Sequence, residues 1–181
     1  MARYLCATLI VLLLAGVSFA QSAGRVEVFG GYAYIHPDFT SSVSGGASGW
    51  DFGAGVRIVR YAGIVADFSG FSPSGPNPCP SCGGGPFATY HTYMGGPQVS
   101  IPLGRIKPFA RFLMGSTRGS HTGADEQFLG SFSGFTYGAG GGADIGLNKW
   151  FAIRGQADWL HISALGTTNM ARVGAGLVFR F

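Results

Sequence analysis

The stretch NMARVGAGLVFRF, residues 169–181, decides the fold. Its odd positions Ala171, Val173, Ala175, Leu177, Phe179 and Phe181 are apolar. Its even positions Arg172, Gly174, Gly176 and Arg180 are small or charged, with Val178 the one exception. A period of two belongs to a β-strand, whose successive side chains point to opposite faces. Arginine on one face and hydrocarbon on the other set this strand between a polar space and a greasy one.

Seven further segments repeat the pattern. In residues 26–34, Val26, Val28, Tyr32 and Tyr34 oppose Glu27, Gly31 and Ala33. In 50–59, Trp50, Phe52, Ala54, Val56 and Ile58 oppose Asp51, Gly53, Gly55 and Arg57. Residues 62–71 set Ile64, Ala66 and Phe68 against Asp67 and Ser69. Residues 91–101 set Tyr93, Val99 and Ile101 against Thr92, Gln98 and Ser100. Pro97 has no N–H for a ladder, so a bulge is expected there. In 108–117, Ala110, Phe112 and Met114 face away from Phe109, Arg111 and Leu113. In 135–145, Phe135, Tyr137, Ala139, Ala143 and Ile145 oppose Thr136, Gly138, Gly140, Gly142 and Asp144. In 151–161, Phe151, Ile153, Ala157 and Trp159 oppose Arg154, Gln156 and Asp158.

Eight such strands predict an all-β chain: an eight-stranded antiparallel up-and-down transmembrane β-barrel. The connections alternate between long polar segments (36–49, 72–87, 118–134) and tight turns (60–62, 102–107, 146–149). Long external loops and short periplasmic turns are the asymmetry of membrane barrels. Only the last loop, 162–168, is short for its side. Aromatic residues gather towards strand ends (Tyr34, Trp50, Phe135, Tyr137, Trp150, Trp159), as girdles at the two membrane interfaces would.

Charge points the same way. The chain is 46% hydrophobic and only 11% charged, where soluble domains carry about 25% charged residues. The strand charges fall on the inward face. Glu27, Asp51, Asp67, Asp144 and Asp158 meet Arg57, Arg111, Arg154, Arg172 and Arg180, five against five. A matched set predicts an ion-pair network, because an unpaired charge in a narrow interior is costly. Eight strands leave an interior just wide enough for side chains, so the lumen is expected to be filled rather than open. A soluble lipocalin-like barrel would reverse the two faces. The balance also predicts that an outward Ala175→Arg is far worse tolerated than an inward Gly176→Ser.

Residues 1–20 read as a secretory signal peptide: Arg3, then an apolar run from Leu5 to Val17, then Ser18-Phe19-Ala20 before Gln21. The run is too short for a spanning helix, which needs about 20 apolar residues. Cys6 lies inside it. The expected organisation is therefore 1–20 as signal peptide and 21–181 as one barrel domain. Without the leader's single arginine the net charge falls from +4 to +3, too small and dispersed to imply nucleic acid.

The whole mature chain resembles the small bacterial outer-membrane β-barrels of the OmpA type. The best match is FTYGAGGGADIGLNKWFAIRGQADWLHI, residues 135–162, followed by the closing strand. The resemblance implies a bacterial outer-membrane location, contact with outer-membrane lipids and lipopolysaccharide, and Phe181 as the signal read by the barrel-assembly machinery. Nothing follows Phe181, so the periplasmic peptidoglycan-binding domain of full-length OmpA proteins is expected to be absent.

Three features carry candidate chemistry. Cys79 and Cys82 sit in PNPCPSCGGGP. A local disulfide is the expected state in an exported protein, with a redox pair or part of a metal site as the alternatives. Redox pairs of this spacing start a helix, which these prolines and glycines forbid, and zinc would need two further ligands, with only His91 near. His161-Ile162-Ser163 resembles the His-x-Ser of outer-membrane lipid A deacylases, where a histidine activates a serine against an ester. That family needs a carboxylate to orient the histidine, and no acidic residue follows Asp158. The glycine run 138–142 lacks the strand–helix context of a nucleotide loop. Asp125-Glu126 reads as a solvated loop, and His36 and His121 have no convergent partners. No metal or cofactor is expected.

The expected function is a non-enzymatic outer-membrane barrel with a filled lumen, which displays loops to an external ligand or contributes to envelope structure. A narrow channel for small solutes and a lipid A-modifying hydrolase at His161 and Ser163 are the alternatives.

Overall fold

The computed structural model describes residues 26–37, 46–73, 87–122, 128–163 and 167–181. Residues 1–20, Cys79, Cys82 and Asp125-Glu126 lie outside them. Eight strands follow one another: β1 Val26–Pro37, β2 Ala47–Arg57, β3 Ala62–Pro73, β4 Phe87–Ser100, β5 Ile106–Thr122, β6 Phe128–Gly146, β7 Phe151–Ser163 and β8 Thr167–Arg180. Each pairs antiparallel with its successor, and β1 pairs with β8, so the sheet closes on itself. Closure leaves no edge with unpaired backbone groups, the condition for a sheet to cross hydrocarbon. The seam is knitted to its end: Phe181 N–H donates to Val26 O at 3.1 Å, and Val26 N–H donates to Phe181 O at 3.2 Å.

The two faces sort as the alternation predicts. Along β7 every even residue from Ala152 to Ile162 is buried, while the odd positions, His161 apart, are exposed. Outside, Val56, Ile64, Val99, Ile153, Val173 and Leu177 are each between 45% and 58% exposed. A continuous apolar exterior of this kind suits a hydrocarbon solvent, not water.

Three apolar groups fill the inside between polar layers. Ala33, Ile35 and Phe71 pack with Tyr90 and Met170 at the end of the barrel that carries the longer loops. Val65, Met94, Leu113 and Leu160 form a second group. Phe29, Ala152 and Val178 form a third, nearer the tight turns. Val178, the exception to the alternation in the last strand, is inward and wholly buried because this small apolar layer needs it.

Three expectations are corrected. No bulge occurs at Pro97: Gly95 faces Met114 and Gln98 faces Arg111, so the β4–β5 register is the same on both sides of it. A missing N–H removes a ladder bond without demanding an extra residue. The register shift lies instead between His121 and Thr122. The third long connection shrinks to residues 123–127, because β5 and β6 run on as a hairpin of 17 and 19 residues. Finally, Gly176 has no room for a serine. A Cβ there would overlap the backbone of Gly30 and Gly31 on β1.

Candidate functional site

The inward charges form two clusters at different heights. The central one joins five side chains from five strands. Arg111 of β5 grips Asp158 of β7 with two parallel bonds, Nε to Oδ1 at 2.9 Å and Nη2 to Oδ2 at 2.7 Å. Its Nη1 also lies 3.1 Å from Asp67 Oδ2. Arg172 of β8 donates from Nε to Asp158 Oδ2 at 2.9 Å and from Nη1 to Asp67 Oδ1 at 2.7 Å. A further bond reaches Ser69 Oγ at 3.1 Å. Bidentate guanidinium–carboxylate pairs are the strongest hydrogen bonds available to side chains. Asp51 is the outlier. Its Oδ2 accepts from Gln156 Nε2 at 2.6 Å, its Oδ1 has no partner, and Arg172 Nη1 stands 4.0 Å away.

The second cluster sits at the tight-turn end. Glu27 of β1 accepts from Arg57 at 3.0 Å and from Lys107, with Arg154 and Arg180 each at 3.4 Å. Asp144 of β6 accepts from Arg154 Nε at 2.7 Å and Arg180 Nη2 at 2.7 Å. Arg154 lies over the Phe109 ring, 4.5 Å from its centroid, and over Phe29 at 5.4 Å. These cation–ring contacts add attraction between the guanidinium and the aromatic faces.

Strand register supplies part of this pairing. Asp158 is directly opposite Arg172, Asp144 opposite Arg154 and Lys107, and Glu27 opposite Arg180. The contacts of Arg111 with Asp158, and of Arg172 with Asp67, instead cross strands that do not touch. The structure also recruits Lys107, which the sequence reading left in a turn. Its shared parity with Phe109 and Arg111 was the available signal. With Lys107 the balance is no longer five against five. Among the described residues, the central cluster has three carboxylates and two guanidiniums, and the tight-turn cluster has two carboxylates and four cations. Hydroxyl pairs, Ser69 with Thr92 and Thr117 with Thr136, complete the buried polar wall.

On the outside, His161 and Ser163 occupy the loop end of β7. His161 Nδ1 is 2.7 Å from Asn169 Oδ1 on β8, and its ring lies 4.8 Å from Tyr137 and 5.9 Å from Trp159, centroid to centroid. Among the described residues no hydrogen bond joins His161 to Ser163. At the other end Trp150, Phe151 and Phe181 surround Phe179 at 5.0–6.3 Å. Among the described residues no three His, Cys, Asp or Glu side chains converge as a metal site.

No family model matches this chain, and no curated protein matches it in sequence. Solved structures do match in fold. Neisserial surface protein A is 14% identical, with 89% of this chain and all of that chain covered and a TM-score of 0.70. Ail, the attachment invasion locus protein of Yersinia pestis, is 16% identical over 87% of this chain and 99% of its own, with a TM-score of 0.59. The outer-membrane protein OprG of Pseudomonas aeruginosa is 14% identical over 88% and 96%, with a TM-score of 0.55. The chain therefore has the architecture of the small outer-membrane β-barrels.

Proposed function

We infer that this chain is an integral protein of the bacterial outer membrane, without enzymatic activity. Its lumen is sealed by side chains, and its working surface is the set of external loops. The observation that carries this is the central network: Arg111, Arg172, Asp67 and Asp158 are each no more than 4% exposed and bridge the interior from four strands. A cavity between Glu27, Gln98 and Ser100 measures about 20 Å³, space for roughly one water. Apolar layers lie beyond the network in both directions, which adds a dehydrated barrier to a charged one.

The apolar exterior supports contact with lipid and lipopolysaccharide, and Phe181 at the seam supports recognition by the assembly machinery. Residues 1–20 are proposed as the cleaved export signal of a barrel spanning 21–181, and Cys79 and Cys82 as a loop disulfide. Peptide mapping of unreduced protein that recovers two free thiols would remove that bond. A role in surface attachment draws support from Ail. Ail, an attachment invasion locus protein, also has a structure in complex with the heparin analogue sucrose octasulfate, 14% identical to this chain with a TM-score of 0.55.

The test is conductance of the purified protein in a planar lipid bilayer. Silence across voltage and salt is the expected result. Steady, reproducible steps would overturn the sealed lumen and make the charged clusters a selectivity filter for small solutes.

A further inference from the structure

Among the described residues, four cations meet two carboxylates at the tight-turn mouth. Arg57, Lys107, Arg154 and Arg180 share Glu27 and Asp144, so two positive charges lack a counter-charge within the cluster. Arg180 Nε is buried and makes no hydrogen bond, with Glu27 Oε1 3.4 Å away as its ionic partner among the described residues. A cavity of about 460 Å³ opens beside them, lined by Arg57, Arg105, Lys107, Asn148 and Arg180. Arg105 enters from the turn that Gly104 makes possible with a φ of 64°. The lining carries four cations and no carboxylate.

Uncompensated cations in a half-buried pocket are costly unless an anion joins them. Guanidinium groups converging from several strands suit an anion with several oxygens in different directions, and each fork takes two of them. A carboxylate offers two oxygens in one plane; a phosphate group offers three or four around a tetrahedron. We propose that this mouth is a binding site for a phosphate group, held by Arg57, Arg105, Lys107 and Arg180. The phosphate is either a lipid headgroup or a free anion of the compartment below; which leaflet the mouth meets rests on the outer-membrane orientation inferred above.

The experiment uses the full chain expressed in cells, extracted from membranes in dodecyl maltoside and held in phosphate-free buffer. Inorganic phosphate is titrated by calorimetry, with folding of each sample checked by the mobility shift between boiled and unboiled protein. Saturable binding is expected, weakened about fivefold or more in Arg105→Gln and in Arg57→Gln. It should be unchanged in Arg60→Gln, whose side chain lies over Tyr61 outside the cavity. The titration is then repeated in nanodiscs of phosphatidylcholine with and without phosphatidylglycerol. Phosphate binding lost in either nanodisc identifies a headgroup as occupant, since phosphatidylcholine carries a phosphodiester too, and binding retained in both identifies the free anion. Absence of saturable binding in detergent, or wild-type binding in both Arg105→Gln and Arg57→Gln, would overturn the site. A conducting barrel would overturn the sealed lumen and leave this site standing, because the pocket lies outside the central network.

Discussion

Arg172 on β8 reaches across the lumen to Asp67 on β3, Nη1 to Oδ1 at 2.7 Å, although the two strands share no border. Both side chains are fully buried. The ladder bonds hold neighbouring strands together, but only contacts of this kind tie opposite walls of the cylinder to each other. The same guanidinium also serves Asp158, so one side chain braces three strands.

Loss of a well-paired acid and of the poorly paired one should differ. Asp158→Asn breaks the paired bonds that Arg111 and Arg172 make to its carboxylate, which the distant Asp51 cannot replace, and is expected to cost about 3–5 kcal/mol. Asp51→Asn removes the surplus negative charge of the central cluster and leaves the Gln156 bond able to form. It should cost under about 1 kcal/mol or stabilise the barrel. Equilibrium urea unfolding in lipid vesicles measures both, and equal losses would mean that Asp51 is paired as tightly as Asp158.

Gly140 sits where a Cβ would overlap the Asp158 carboxylate and the backbone of β7. Gly140→Ala is expected to cost about 1–3 kcal/mol through overpacking. Gly55→Ala, whose nearest neighbour would be Ile64 O at an ordinary 3.5 Å, should be mild. Side-by-side unfolding of the two variants decides it.

Ala175→Arg puts a charge into hydrocarbon near mid-strand, and about 2–4 kcal/mol is expected. Gly176→Ser should also destabilise, by collision with β1 rather than by desolvation. Thinner bilayers should relieve the first penalty and leave the second unchanged. Relief of both would contradict the facing of Gly176.

Glu27→Gln removes one of two acids facing four cations at the tight-turn mouth. Because Arg57 is part-exposed and Arg105 exposed at this mouth, salt screens part of the repulsion, with a Debye length of about 10 Å at 0.1 M. The variant's loss of stability should therefore shrink as sodium chloride rises. The Asp158→Asn loss, deep in the lumen, should hardly respond.

His161→Ala should leave the lipid A of the producing cells unchanged by mass spectrometry. The histidine's Nδ1 is taken by a neutral amide, Asn169, which cannot balance an imidazolium as a carboxylate would. A lipid A species that depends on His161 would establish an enzyme instead.

Much of the architecture was legible in the chain because strand alternation is local. Tyr32 and Tyr34 against Glu27 and Ala33, or Ile153 and Trp159 against Arg154 and Asp158, declare their faces from a few residues. What misled was equally specific. Pro97 suggested a bulge because its missing N–H was read as a missing register, and Lys107 was assigned to the tight turn 102–107 because the fifth strand was started at Pro108. Gly176 passed as roomy because a sequence cannot reveal how closely β1 approaches.

The sequence by itself determined eight strands, their order and the two faces of each, since a period of two needs no knowledge of neighbours. The tertiary structure alone decided which carboxylate meets which cation. A strand can slip by two residues and keep every side chain on its face, so pairing across the lumen depends on eight registers and the shear of the closed cylinder together. That closure divided the charges unequally, three acids with two cations at the centre and two acids with four cations at the mouth, and so set a braced core above a basic pocket.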